Sequence, residues 1–122
     1  MKVPRIVIDA GHSPESVNGG TQGYKEHHGM WILSNHLKDA LEKYQDTAVI
    51  MTRKYEENPT LPARGMMAKG ADWFVSNHSN ADTAQNTSAN GVSVYRSVNR
   101  PNDQAIAMQL ASVLSGIMGT LS

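Results

Sequence analysis

The chain contains no cysteine, which excludes disulfide bonds and thiolate metal ligands. It has no excess of charge of one sign either, because 11 lysines and arginines balance 11 aspartates and glutamates. Without a basic stripe, we expect no nucleic acid partner. No run approaches the roughly 18 apolar residues of a membrane span. Any metal site in this chain must therefore be built from histidine and carboxylate side chains.

The length of 122 residues is typical of one domain, so we expect residues 1–122 to form a single domain. Residues 1–5 run directly into a short apolar segment and do not resemble the apolar core of a signal peptide. The sequence as it stands therefore predicts synthesis in the cytoplasm, without a signal peptide of its own.

Predicted strands and helices alternate along the chain. Short segments rich in β-branched or aromatic residues predict strands at 3–9, 48–52, 73–76 and 91–95. Apolar residues at helical spacing predict helices over 26–44, around 63–69 and over about 103–118. The polar stretch 79–91 is typical of a mobile surface loop. This order predicts a layered α/β fold with a mostly parallel sheet flanked by helices.

Three separated residues can ligate one metal. His12 follows the first predicted strand, and His78 follows the third. Glu26 begins the first helix, after a glycine-rich loop that can bring it back beside His12. Two imidazoles and a carboxylate form the open ligand set of hydrolytic zinc sites, with one coordination position left for water or substrate. The pattern predicts a zinc hydrolase whose site lies at the carboxyl ends of the strands.

Two further histidines, His27 and His28, adjoin Glu26 and offer the same kind of ligand atom. Consecutive residues of a helix point in different directions, so at most one of them could share the target of Glu26. We assign neither of them to the metal.

Other polar residues near these positions have two possible roles. Asn77 and Asn80 flank His78, and each could orient that ligand, accept a peptide or simply form a turn. Arg64 could contact a substrate, or it could form a structural ion pair with Asp72, which follows it closely in the chain.

Several motifs together resemble one known family. They are the segment 6–12, Gly23, Glu26, Thr52-Arg53, Leu61, Arg64, the segment 71–81 and Gly91-Val92 before Tyr95. In this order and spacing, from about residue 5 to 118, the chain resembles the zinc-dependent N-acetylmuramoyl-L-alanine amidases of autolysins, sporulation hydrolases and phage endolysins. The resemblance implies that His12, Glu26 and His78 bind Zn2+. It also implies that the substrate is peptidoglycan, cleaved at the amide between muramic acid and L-alanine of the stem peptide.

The chain also departs from the family pattern. Members of the family continue into a further strand that supplies a catalytic glutamate, whereas no glutamate follows Glu57 here and the sequence ends at Ser122. We therefore expect the catalytic acid/base to be missing and the fold to be incomplete at its C-terminal side. A fragment, a shortened homologue and a chain completed by a second polypeptide all fit this expectation. An apolar end at 116–119 and an incomplete sheet would permit self-association.

Three functions are compatible with the sequence. The first is an amidase that acts on the bacterial cell wall, either as an endolysin or as an autolysin. The second is a catalytically silent module that binds zinc and muropeptide but lacks the acid/base. The third, a zinc carboxypeptidase, is disfavoured because a long loop separates His12 from Glu26, whereas such peptidases have a short His-to-Glu spacing.

Overall fold

The computed structural model of the chain describes residues 2–16, 23–44, 46–79 and 91–118. The chain divides into two compact units, Met1–Ala81 and Asp82–Ser122. Among the described residues, the first unit contains the sheet and two α-helices, and the second contains one α-helix.

The first unit is built on a three-stranded parallel sheet. Its strands are β1 (Arg5–Ala10), β2 (Ala48–Met51) and β3 (Trp73–Asn77), in the order β2-β1-β3. Strand β1 pairs with a neighbour on each side, and Val7 and Ile8 at its centre are fully buried. This explains why β1 is an almost continuous β-branched run rather than an alternating one.

Two helices connect the strands of the first unit. Helix α1 (Glu26–Tyr44) lies between β1 and β2 in the chain, and helix α2 (Leu61–Met67) lies between β2 and β3. Met30 of α1 is buried, and Asn77 at the end of β3 donates a hydrogen bond to Ser34 in the same helix. Because Asn77 pairs with Ala10, α1 lies on the face of the sheet that carries Ile8 and Ala10.

The start of α2 is defined by local sequence signals. The Thr60 side chain accepts a hydrogen bond from the main-chain N–H of Ala63, at 3.3 Å, and caps the helix. Pro62 lies in the first turn, where its missing N–H costs no helical hydrogen bond. Gly70, with φ +78°, then redirects the chain toward β3.

In the second unit, a 3₁₀ turn (Pro101–Asp103) leads into helix α3 (Gln104–Met118), which contains no charged residue. Arg96 donates a hydrogen bond to Gln104 and so links the preceding segment to the start of this helix. None of the helices in the four described ranges is both long enough and apolar enough to cross a membrane.

The predicted α/β fold, with its parallel sheet flanked by helices, is confirmed. The predicted strand at 91–95 is wrong, because these residues form no ladder with any other described residue. Val92 and Val94 are half-buried and alternate with exposed neighbours, so the side-chain pattern was real, but a strand also needs a backbone partner. Most of the predicted loop at 79–91 lies outside the described residues.

The single domain over 1–122 stays a prediction.

We expect Ile8→Ala to lower the free energy of unfolding by about 2–5 kcal/mol, because it leaves a cavity at the fully buried centre of β1. Urea denaturation would measure the loss. The control is Leu61→Ala, since the Leu61 side chain is exposed and its truncation should change stability by less than about 0.5 kcal/mol. Equal losses in the two variants would contradict this description of the core.

Candidate metal centre

Three side chains predicted from the sequence to bind metal meet at one point. His12 Nε2 lies 3.1 Å from Glu26 Oε2, and His78 Nδ1 lies 3.4 Å from Glu26 Oε1. One ligand atom from each of the three residues falls within 4.8 Å of the other two. The two imidazole rings are 5.0 Å apart between centroids and almost perpendicular, at 83°. The carboxylate thus lies between the two histidines and presents one oxygen to each.

The parallel sheet brings the two histidines together. Ala10 pairs with Asn77 at the carboxyl ends of β1 and β3, and the chain reaches His12 and His78 immediately beyond that pair. One more hydrogen bond, from Gly11 N to Asn77 O at 3.0 Å, holds the two strands together past the end of the ladder. Both imidazoles therefore leave the same edge of the sheet.

Gly11 is required by this close approach. A Cβ at position 11 would come within 2.6 Å of the Asn77 carbonyl oxygen and 2.7 Å of the His78 ring. Real Cβ atoms essentially never approach other heavy atoms so closely, so a side chain at this position would displace His78 or separate the strands.

Glu26 is the first residue of α1, and its carboxylate is held in place from outside the helix. The main-chain N–H of Ser79 donates a hydrogen bond to Glu26 Oε1 at 2.7 Å. The hydroxyl of Tyr24 lies 3.0 Å from Ser79 Oγ and connects the segment before α1 to the segment after β3. The Glu26 side chain is 11% exposed whereas that of His78 is 46% exposed, so the centre opens toward solvent on the His78 side.

The chemistry of this donor set suits a divalent metal. Imidazole nitrogen and carboxylate oxygen are both ligands that zinc accepts, and Glu26 supplies a negative charge. Within the described ranges, no fourth histidine, aspartate or glutamate joins the cluster of His12, Glu26 and His78. Among the described residues, the site therefore has the composition of an open centre.

Behind the histidines lies a buried carboxylate. Asp9, 5% exposed, accepts hydrogen bonds from Thr52 Oγ1 at 2.6 Å, Ser76 Oγ at 2.7 Å and Arg64 Nη1 at 2.9 Å. Burial alone would raise the pKa of Asp9, but these three donors more than offset burial and hold the pKa below its ordinary value. One side chain thus connects all three strands to α2.

The partner of Arg64 differs from the one that we expected. Arg64 is buried and pairs with Asp9, whereas Asp72 accepts hydrogen bonds from the main-chain N–H of Arg5 and from Lys2 Nζ. The prediction of a pair with Asp72 rested on closeness in the chain. Both residues are instead held by β1, since Arg64 reaches its carboxyl end and Asp72 its beginning. Arg64 also donates a hydrogen bond to the carbonyl oxygen of His12, at 2.9 Å.

Two of the other candidates, Asn77 and His27, adjoin members of the cluster in the chain without joining it. Asn77 uses its side-chain N–H to bind Ser34, so it contacts α1. His27 is buried, its Nε2 lies 3.4 Å from the Tyr55 hydroxyl, and its Nδ1 has no hydrogen-bond partner among the residues that the structure describes. Burial, reinforced by the positive charge of Arg53, holds the pKa of His27 below its ordinary value. Asn80 lies outside the described residues.

His28 Nδ1 lies 3.3 Å from the same Tyr55 hydroxyl. Neither His27 nor His28 belongs to the cluster, which agrees with the expectation that adjacent helical residues point in different directions.

The sequence motifs predicted no role for Asp9 or Arg53. A carboxylate within the apolar run Ile6-Val7-Ile8-Asp9-Ala10 must be buried, and a buried carboxylate requires partners. The sequence could therefore have predicted that Asp9 is buried and paired. Arg53 lies two residues beyond the end of β2, and its buried position could not be deduced without the structure.

We expect Gly11→Ala to weaken zinc binding and to cost about 1–3 kcal/mol of stability, because the new methyl group overlaps the His78 ring and the Asn77 carbonyl. The control is Gly65→Ala in α2, where nothing lies within 4 Å of the added Cβ and stability should not fall. Isothermal titration with Zn2+ and urea denaturation would measure the two effects. An unchanged zinc affinity in Gly11→Ala would contradict the tight approach of Gly11 to His78.

Because of Asp9, the free energy of unfolding should fall as the pH is lowered into the acid range. Its pKa in the folded state lies below the ordinary value of 3.8, so the unfolded state takes up the proton first as the pH falls. The stability that the ionised group contributes is present above the unfolded pKa and is lost as the pH falls through the folded pKa. Asp9→Asn should flatten the acid limb of a stability curve measured by urea denaturation between about pH 5 and pH 2.

At neutral pH, Asp9→Asn should also cost about 3–5 kcal/mol, because it leaves the Arg64 guanidinium without its buried counter-charge. Asp39→Asn on the exposed side of α1 is the control, and it should leave the acid limb in place. A full acid limb in Asp9→Asn would assign the pH dependence to other groups.

Comparison with known proteins agrees with this description. The family model described as N-acetylmuramoyl-L-alanine amidase matches residues 6–120. Among solved structures, the catalytic domain of CwlV, an N-acetylmuramoyl-L-alanine amidase from Bacillus (Paenibacillus) polymyxa var. colistinus, superposes with a TM-score of 0.74 at 25% identity, over 87% of this chain. The N-acetylmuramoyl-L-alanine amidase AmiC2 of Nostoc punctiforme superposes with a TM-score of 0.82 at 24% identity, over 98% of this chain.

The chain spans 59% of the CwlV domain and 65% of the AmiC2 structure. No curated protein matches it at a comparable level. The family match extends over most of the chain and includes the strands, helices and histidines described above. On this evidence, the chain belongs to the N-acetylmuramoyl-L-alanine amidase family.

Proposed function

We propose that the protein is a zinc-dependent peptidoglycan hydrolase that cleaves the amide between N-acetylmuramic acid and L-alanine of the stem peptide. The observation that carries this proposal is the convergence of His12, Glu26 and His78, within 4.8 Å, at one edge of the sheet. Membership of the amidase family and the likeness to two structures named as amidases support the reaction class.

In this proposal His12, Glu26 and His78 hold the metal. Zinc bound there would polarise the scissile carbonyl and lower the pKa of a bound water. The chain itself contributes the orientation of the ligands. The Ser79 N–H fixes one oxygen of Glu26, and the exposed side of His78 gives the substrate amide a route to the centre.

Arg64 and Asn77 act in this proposal as supporting residues. Both direct their side-chain N–H groups into the protein, Arg64 toward Asp9 and Asn77 toward Ser34. A substrate contact would require these internal hydrogen bonds to break. Asn80 remains a candidate for orienting His78 or for contacting the peptide.

Proton transfer to the leaving amine requires a general acid/base in addition to the metal. By the family resemblance that role belongs to a glutamate, and we assign it to no residue of this sequence. The biological role we propose is degradation of the bacterial cell wall, by an endolysin or an autolysin. The alternative is a catalytically silent module, and the following experiment distinguishes it from the amidase.

The test is release of stem peptides from purified peptidoglycan by the 122-residue chain with Zn2+, analysed by mass spectrometry. Release by the parent and none by His78→Ala would support the amidase and would show that the acid/base role is filled within these 122 residues. We expect zinc affinity in that variant to fall by at least about 100-fold, since losing even a group that only supports a ligand costs 10–100-fold.

The matched control is His36→Ala, which removes an exposed histidine of α1 outside the cluster and should leave release and zinc affinity unchanged. Zinc binding without release would favour the silent module. Full zinc affinity in His78→Ala would remove that residue from the ligand set.

A further inference from the structure

Three consecutive main-chain carbonyls at the end of β1 are held by arginine side chains. The last paired residue of β1 is Ala10, so the carbonyls of Ala10, Gly11 and His12 need donors from outside the sheet. Two buried arginines supply them, Arg53 from the end of β2 and Arg64 from α2.

Arg64 binds at two of these carbonyls. Its Nη1 donates to Ala10 O at 3.0 Å and its Nη2 to His12 O at 2.9 Å. The same Nη1 binds Asp9, and Nε donates to Pro59 O at 3.0 Å. The planar guanidinium is therefore bound on each of its edges, which fixes its orientation. A lysine ammonium could replace one of these bonds but could not span the carbonyls of residues 10 and 12.

Arg53 completes the arrangement from the other side. Its Nε donates to Ala10 O at 3.0 Å and its Nη2 to Gly11 O at 3.3 Å. The same Nη2 donates to His27 O at 3.1 Å, so this guanidinium connects the end of β1 to the residue that follows Glu26 in α1. Trp31 covers the group, with its ring centroid 5.5 Å from the guanidinium carbon.

His12 needs such support because its backbone is strained. Its φ is +60°, the left-handed region, and it is the one residue other than glycine with positive φ among the described residues. A side chain with a Cβ occupies this region at a cost and stays there only when the surrounding structure holds it. From this conformation the His12 imidazole reaches Glu26, with Nε2 at 3.1 Å from Oε2.

We propose that Arg64, assisted by Arg53, is a positioning residue: it holds His12 in the left-handed conformation and thereby directs the imidazole toward Glu26. The assignment of His12 as a metal ligand rests on the proposed function, whereas the control of its backbone by Arg64 does not. The hydrogen bonds that the two arginines donate to residues 10–12 end on main-chain carbonyls, and through these bonds they hold the backbone.

The test compares the parent with Arg64→Lys. This variant keeps a positive charge opposite Asp9 but removes the planar guanidinium that binds the carbonyls of both Ala10 and His12. The first measurement is made without metal. Cα and Cβ chemical shifts of His12 report its backbone conformation, and we expect them to move away from the left-handed values in Arg64→Lys. The second measurement is titration with Co2+, followed by its visible absorption. We expect binding to be weakened by about 10–100-fold and the absorption bands to change shape, as for loss of other groups that orient ligands.

Two controls separate positioning from general loss of stability. Ile8→Ala destabilises the same strand on the opposite face from Asp9, and Arg5→Lys makes the same chemical change at an exposed position. Both should retain the His12 shifts and the Co2+ affinity of the parent. If Ile8→Ala weakens Co2+ binding as much as Arg64→Lys does, the proposal is overturned.

The remaining outcomes distinguish this inference from the proposed function. Unchanged His12 shifts and unchanged Co2+ affinity in Arg64→Lys would overturn the positioning role and leave the metal site intact. A parent that binds no Co2+ would overturn the metal site, while the shifts of His12 would still decide the role of Arg64. Should Arg64→Lys fail to fold, Arg53→Lys replaces it in the same two measurements, with an expected weakening of Co2+ binding of about 10-fold, the lower end of the range for groups that orient ligands. Parent-like shifts and affinity would then overturn the proposal.

Discussion

A carboxylate buried near the end of a central strand must find positive charge and hydrogen-bond donors inside the protein, and Asp9 obtains both. Thr52 reaches it from just beyond β2, Ser76 from β3 and Arg64 from α2. Since the same Arg64 holds the His12 carbonyl, the ion pair joins the packing of the sheet to the geometry of the candidate metal centre. Loss of either partner would leave a buried charge uncompensated, so we regard the pair as the constraint on which this edge of the sheet depends.

The centre itself combines rigid and strained parts. His78 follows β3 directly, so the ladder with β1 sets its position. His12 lies one residue farther from its strand and adopts a left-handed backbone, which requires outside support. Gly11 between strand and ligand permits the close approach to His78, and a larger residue there would prevent it. Such strain is common at functional sites, where the surrounding structure stabilises a conformation that the chain would not choose alone.

The fold alone does not establish what the protein does, because a fold can carry many chemistries. Here the two solved structures share the architecture at only 24% and 25% identity. The proposed function therefore rests on the cluster of His12, Glu26 and His78, on its partial exposure and on the hydrogen bonds that hold its members. The hydrogen bond from Ser79 N to Glu26 and the arginine contacts at the end of β1 belong to this chain's own structure.

The sequence by itself determined the three parallel strands, the helices between them and the three residues that converge, because periodicity and strand ends are local signals. It could not determine partners that are distant in the chain. Arg64 binds Asp9, 55 positions away, rather than the nearer Asp72. The strand predicted at 91–95 carried the right alternation, but pairing depends on a second backbone that sequence periodicity does not reveal. The left-handed turn at His12 was likewise decided by tertiary structure, since only the folded chain brings the guanidinium of Arg64 to its carbonyl.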